Sequence, residues 1–461
     1  VDAAMNVLAP GVHRLRPDDH FMILAETDAS PMHVGALLIL SVPEAEKAHF
    51  LAAARCQIAG RLPHTPLLAR LVQAPDGYDS DVWADLAACD MEYHVQRVDA
   101  DRDWTDAMLR EDIARRSMDR LDLARPPFRA FVYDRLQGER CALYLKMHHA
   151  VADGIGFQSV LQLLSDLTAP AATRMENAVL PSPEAWRALS DAYFAQLAPR
   201  AAQGSARRHE ALAKLEALKA DPATRRARTP VLKLSGPISS QRAYATLSVT
   251  LANLKSVGTA LGGTVNDIFL AVTSTALRRF LIEINDLPET PIVVNSARSY
   301  RRPEHGLFGN RIVAQHPHLA THLADPIERL RAIQQSMALE RHRFPLDEAM
   351  LNADEKPNGA SDRRAKFAAR ATDGKALLPG NITLSNVPGP AEKLAYAGYA
   401  QIANYPVPIL GNGRFLNITS RRNGDMLDMG IMADPTKIAD LASIIAYLTD
   451  AIEEYTALAA S

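Results

Sequence analysis

Apolar and polar positions alternate between two periods along most of this chain. Met32–Val42 (MHVGALLILSV) and Phe128–Asp134 (FRAFVYD) are apolar runs of strand length, and Arg140–Met147 (RCALYLKM) alternates enough to be another strand. Ala48–Arg61 and Thr105–Met118 carry apolar residues at helical spacing, while Pro126 and Pro127 punctuate the entry to the strand at Phe128. Beyond Ser239 the alternation resumes, with Tyr244–Thr250 strand-like, Val265–Ile282 helical and Pro291–Asn295 strand-like. Between these stretches the composition shifts. Pro170, Pro181 and Pro183 precede a long helix-prone tract, Glu184–Ala220, which Pro222, Pro230 and Pro237 follow. The pattern predicts an α/β protein in three parts: an N-terminal domain over 1–180, a helical connector over 181–238 and a second domain of similar size over 239–461.

Composition narrows the class. The 461 residues are 48% hydrophobic and 23% charged, the ordinary range for globular proteins, which disfavours disordered, collagenous and coiled-coil readings. With 51 Lys+Arg against 53 Asp+Glu, no global basic field exists to draw the chain to nucleic acid. Cys56, Cys89 and Cys141 are odd in number, far apart and outside any C-x-x-C pair, which speaks against a disulfide framework or a cysteine zinc site and for a reducing compartment. Val1–Leu15 lacks the features of a secretory signal, and Val34–Leu40 is about a third of the apolar length that spans a bilayer. The expectation is a cytoplasmic protein with peripheral attachment to a membrane or lipid-droplet surface left open. The connector's basic residues, Arg200, Arg207, Arg208, Lys214, Lys219, Arg225, Arg226 and Arg228, read either as a solvated helix face or as a patch for anionic lipid or substrate phosphates.

Candidate chemistry concentrates in one place. No G-x-S-x-G elbow, phosphate-binding P-loop or H-E-x-x-H helix occurs, and the G-x-G at Gly154 and Gly156 lacks its third glycine. Met147-His148-His149-Ala150-Val151-Ala152-Asp153-Gly154 follows an apolar strand and precedes a helical run over Ile155–Leu167. A strand end holds a side chain rigidly, the loop admits a substrate, and Gly154 permits a tight turn or close approach. Adjacent histidines on extended backbone point to opposite faces, which makes His148 and His149 a poor chelating pair and predicts no metal here. The remaining chemical reading is a general base: imidazole accepts a proton from a hydroxyl or thiol as that group attacks. Asp153 either orients the imidazole, as in a triad, or holds the loop through an arginine.

HHAVADG resembles the HHxxxDG motif of the CoA-dependent acyltransferase superfamily, which includes chloramphenicol acetyltransferase and peptide-synthetase condensation domains. Further segments are similar to the bacterial wax ester synthase/diacylglycerol acyltransferase family, in the same order: Pro31-Met32-His33-Val34-Gly35, Gly262-Gly263-Thr264-Val265-Asn266-Asp267, Gly309-Asn310-Arg311, Asp325-Pro326-Ile327-Glu328-Arg329-Leu330 and Ser385-Asn386-Val387-Pro388-Gly389-Pro390. The likeness runs from about residue 12 to about residue 455. It implies two chloramphenicol-acetyltransferase-like domains, each a mixed β-sheet flanked by helices, with the active-site tunnel at their interface.

The resemblance further implies acyl-CoA as co-substrate, no bound cofactor, and a fatty alcohol or diacylglycerol as acceptor. His149 would be the base for direct attack on the thioester, without an acyl-enzyme. His148 and Asp153 would support the loop, Gly154 would permit its turn, Asn266 would donate to the tetrahedral oxyanion and Asp267 would cap or brace its helix. Ser385–Pro390 would be structure or tunnel lining. The chain departs from the family in having Pro126-Pro127-Phe128 for Pro-Leu-Trp, the acidic run Asp99–Asp103 where Leu-Pro and Pro-Gly are usual, and Asn295-Ser296-Ala297-Arg298 for a Pro-Val-Ser-Leu-Arg type segment. These departures leave the base intact and bear on the acceptor. Competing expectations are an acyltransferase of the same superfamily acting on a non-lipid hydroxyl or a carrier-protein thioester, and a lipid-binding homologue with little turnover.

Overall fold

Strands form where the apolar runs predict them. The computed structural model describes residues 7–75, 78–167, 176–307, 309–351, 359–373 and 379–461, without the side chains of 200–203 and 367–373. One six-stranded sheet runs Ala395–Tyr396, Tyr399–Val407, His33–Ser41, Arg140–His148, Phe128–Leu136, Val95–Arg97. Its central strand explains the unbroken run in the sequence: Ala36, Leu38 and Leu40 pack into one apolar cluster while Leu37 and Ile39 pack into another on the opposite face.

The second six-stranded sheet runs Ile312–Gln315, Val294–Ser299, Ile382–Val387, Leu416–Asn423, Met426–Ala433, Ala243–Thr250. Its two faces differ in chemistry. Val294, Ile382, Leu384, Leu416 and Ile418 join the apolar cluster formed with Val265–Glu283 and Leu441–Ala460. Their alternates Asn295, Thr383, Ser385, Asn417 and Thr419 face the first half of the molecule across a cavity. A four-stranded sheet of Val7–Ala9, Val12–Arg14, Val82–Asp85 and Ala69–Val72 completes the strands.

The two halves interlock. Tyr399–Val407, late in the chain, pairs antiparallel with His33–Ser41 early in it, so hydrogen bonds carry a strand of the C-terminal segment into the first-half sheet. Beside this crossing, Tyr244 Oη donates to the Pro406 carbonyl at 2.9 Å. Leu37, Phe131, Tyr144, Tyr244 and Met432 share one apolar cluster drawn from both halves. Pro183–Ala220 forms the long helix expected of the connector, with Ser182 accepting from Ala185 N–H at its N-terminus. Lys214 and Lys219 pair with Glu210 and Glu216 along it, while Arg226 beyond it binds Glu340 and Asp347; the Arg200 side chain lies outside the described residues.

The strand expected at Pro291–Asn295 begins later, at Val294. Proline has no N–H to give, and the N–H groups of Ile292 and Val293 go to the side chains of Thr321 and Asn381 instead of a neighbouring strand. Among the described residues, no single helix is long and apolar enough to cross a membrane.

Candidate active site

The two histidines part company at the end of Arg140–His148. His148 is fully buried and directed away from the cavity, whereas the half-buried ring of His149 lines it. His148 Nδ1 accepts from Ala150 N–H at 3.1 Å, which places its proton on Nε2. That nitrogen lies 3.7 Å from Glu26 Oε1, and His33 Nε2 lies 3.2 Å from the same oxygen. Arg120 holds the other carboxylate oxygen at 2.8 Å. Burial alone would raise the Glu26 pKa, but hydrogen bonds from His33 and Arg120 and the proximity of His148 hold it at about 2. Burial also pulls the His148 pKa down to about 3, so the ring is neutral at physiological pH.

The backbone of His149 is gripped from both halves. Its N–H donates to the Met32 carbonyl at 2.8 Å, and its carbonyl accepts from Asn310 Nδ2 at 2.8 Å. Asn310 is itself fixed by Asp19, whose Oδ1 accepts from both the backbone N–H and Nδ2 of Asn310. Burial lowers the His149 pKa below the ordinary value of 6.5, so its resting form is neutral and able to accept a proton. Nδ1 is buried, which leaves Nε2 as the nitrogen open to a substrate.

Asp153 resolves the two readings of its role. Oδ1 caps the helix Gly154–Leu164 by accepting from Gly156 N–H at 2.9 Å. Oδ2 accepts from Arg301 Nη2 at 3.0 Å and from Arg311 N–H at 2.9 Å. Asp153 therefore holds the loop and ties it to the second half. Gly309 N–H adds a 2.7 Å bond to the Val151 carbonyl. At Gly154, an added Cβ would meet Val387 at 3.2 Å, so the glycine lets the Ser385–Pro390 segment approach the loop.

Asp267 forms a capping box with Thr264 at the start of Val265–Glu283, as its brace role requires. Asn266 requires a correction. It sits in the first turn of that helix, which packs on the opposite face of the second sheet, and no residue of the helix lines the cavity. Asn266 is thus not among the residues that line the cavity beside His149, where an oxyanion would form. Sequence reading also missed Glu26, Asp19 and Arg301, all three more than a hundred positions from His149. The quoted segments Pro31–Gly35 and Gly309–Arg311 did carry a visible signal: Met32, His33, Gly309, Asn310 and Arg311 all contact the loop or its supports.

The cavity encloses about 510 Å³ between the halves. Phe21, Met22, Met32, Val34, Ile155 and Phe157 give it an apolar wall from the first half, and the small polar alternates of the second sheet face them. The departure noted at Asn295-Ser296-Ala297 falls on this wall. Such a space accepts a chain-like apolar ligand with a polar reacting centre.

A model of the wax ester synthase/diacylglycerol acyltransferase catalytic domain matches residues 15–269, and the model of that family's C-terminal domain matches residues 308–456. The chain belongs to this family. Among wax ester synthase/diacylglycerol acyltransferase relatives, a Mycobacterium tuberculosis protein named as a diacylglycerol O-acyltransferase is 30% identical over 451 residues, 90% of this chain and 85% of its own length. The O-acyltransferase WSD of Acinetobacter baylyi is 25% identical over 465 residues, 95% of this chain and 96% of its own. The solved structure of a wax ester synthase/diacylglycerol acyltransferase from Marinobacter aquaeolei superposes with a TM-score of 0.67 at 22% identity, covering 97% of this chain and 100% of that one. The first condensation domain of the calcium-dependent antibiotic synthetase does so with a TM-score of 0.62 at 16% identity, covering 98% and 97%. The fold is thus that of the family and of condensation domains, with mixed sheets flanked by helices in both halves.

Proposed function

We propose that this chain transfers a long-chain acyl group from acyl-CoA to the hydroxyl of a fatty alcohol or diacylglycerol, yielding a wax ester or triacylglycerol and free CoA. The observation that carries this reading is the neutral His149 imidazole, held by its backbone from both halves and opening onto their shared cavity. Nε2 takes the hydroxyl proton as the oxygen attacks the thioester carbonyl carbon. The tetrahedral oxyanion then collapses, the carbon–sulfur bond breaks, and the imidazolium returns the proton to the departing thiolate. No acyl-enzyme is needed, and acyl-CoA enters as a co-substrate rather than a bound cofactor.

With Asn266 outside the cavity lining, the helix Gly154–Leu164 is the candidate for oxyanion stabilisation. Gly154 and Ile155 line the cavity at its N-terminus, where first-turn N–H groups lack intrahelical acceptors. Cytoplasmic residence with peripheral contact to a membrane or lipid droplet suits such apolar acceptors. Both lysines of the connector helix, Lys214 and Lys219, are already paired with Glu210 and Glu216 and add no free charge to such contact.

Thiol release from acyl-CoA with hexadecanol and with diacylglycerol tests the proposal. His149→Ala should lower turnover by about two to four orders of magnitude while leaving a folded protein. Near wild-type turnover in that variant, or stable acyl-CoA binding without product in the wild type, would reject it.

A further inference from the structure

The acyl chain and a hydrocarbon alcohol explain an apolar cavity with a base, but not the cation at its far end. Arg414 lines the cavity and is 7% exposed. Its Nε and Nη2 both donate to the Pro379 carbonyl, at 3.1 and 2.9 Å, and among the described residues none accepts from Nη1. Among the described residues, no carboxylate pairs with it. Burial is the sole influence on its pKa, lowering it to about 10 and leaving the group cationic at neutral pH. His316 lines the same end, and its buried Nδ1 has no hydrogen-bond partner among the described residues. The carboxylate beside His316, Glu340, accepts from His316 N–H but is engaged by Arg226 through two 2.7 Å bonds.

Position separates this group from the reacting loop. The strand Leu416–Asn423 leads from Arg414 toward Arg421, which is in register with Val387, the residue that meets Gly154. Arg414 therefore lies on the order of 20 Å along the strand direction from that end of the cavity. Arg421 is a different case. It lines the cavity too, but Nη1 donates to Asn404 Oδ1 at 3.1 Å, and Asn404 N–H donates to Asp428, so a carboxylate already stands behind it. Arg414 has no such relay.

A buried, unmatched charge is costly, and the usual remedy is a ligand that brings the opposite sign. We infer that the cavity end formed by Arg414 and His316 receives an anionic group, a phosphate or carboxylate, carried by one of the two substrates. This rests on the acyl-transfer reading and specifies its substrates further. The anion has two sources: the phosphates of CoA, or a carboxylate on the acceptor. Guanidinium suits either, since its fork of donors matches the paired oxygens of both.

The experiment compares the full-length wild type with Arg414→Gln and Arg414→Lys in charged and uncharged substrate pairs. The donor pair is dodecanoyl-CoA against dodecanoyl-N-acetylcysteamine, and the acceptor pair is 16-hydroxyhexadecanoate against hexadecanol. Arg414→Gln should raise KM at least about tenfold for the charged member of one pair and less than twofold for its neutral counterpart, with partial recovery in Arg414→Lys. A donor-specific rise assigns the group to CoA phosphate, and an acceptor-specific rise assigns it to carboxylate. Changes below twofold throughout, or equal rises for charged and neutral members, overturn the inference. Calorimetric binding of free CoA and of dodecanoate reads the same site without turnover, and loss of neither in Arg414→Gln also overturns it. If the wild type transfers no acyl group in any combination, the acyl-transfer reading fails instead, and the binding arms still decide the anion site.

Discussion

Asn310 Nδ2 donates to the carbonyl of His149 at 2.8 Å and to Asp19 Oδ1 at 2.9 Å, so one buried amide joins the reacting loop, the first helix and the second half of the molecule. Asn310→Ala removes both side-chain bonds and leaves the buried Asp19 carboxylate with backbone donors alone. Stability should fall by about 1–3 kcal/mol, read from denaturant midpoints. A displaced base on the order of 1 Å out of place costs about a hundredfold, so kcat should fall clearly further than the stability loss explains at 25 °C. Unchanged kcat in a folded variant would show that the loop holds His149 without help from the second half.

Glu26 makes a parallel case on the other side of the strand. Its carboxylate serves His33, His148 and Arg120 together. Glu26→Gln keeps the shape and removes the charge, which leaves the His148 N–H without its anion and Arg120 with only the exposed Asp28. We expect kcat to fall about tenfold with KM changed less than twofold, because the loss acts on the placement of the loop rather than on substrate contacts. A KM effect alone would place Glu26 in substrate binding instead.

The pH profile follows from the depressed pKa of His149. A base must be neutral to act, so kcat/KM should fall with decreasing pH only through a folded-state pKa lying below 6.5 and level off above it. An acid limb centred above pH 6.5 would contradict burial as the dominant influence on this ring.

Gly389 tests the structural reading of Ser385–Pro390. A Cβ there would stand 1.9 Å from the Arg422 carbonyl oxygen and 2.8 Å from its carbon, contacts that only a backbone shift can relieve. Gly389→Ala should destabilise the protein by at least about 2 kcal/mol or prevent soluble expression, whereas Gly60→Ala, with open space around its Cβ position and ordinary helical backbone, should not reach that severity. Equal melting temperatures for wild type and Gly389→Ala would remove the close approach as the reason for glycine.

Much of the scaffold was legible because its signals are local. The run Val34–Leu40 lies in a strand whose alternate residues are buried on both faces, and the long tract Glu184–Ala220 became Pro183–Ala220, bounded by a Ser182 cap. The opposite orientation of His148 and His149 followed from strand geometry alone. Thr264 to Asp267 likewise spelled a capping box, and the structure keeps that local meaning while denying Asn266 a place at the cavity.

What the sequence determined by itself was where strands and helices form and that the two imidazoles at a strand end face opposite ways, since both depend on neighbours within a few residues; which of the two is the base came from the family resemblance. Only the tertiary structure decided that Asp153 meets Arg301, 148 positions away, that Asn310 grips His149 across 161 positions, and that Arg414 stands buried with no carboxylate beside it among the described residues. Those pairings arise from how two sheets close on each other and exchange a strand. Each such closure sums many small turns and packing choices, and no short window of sequence carries that sum.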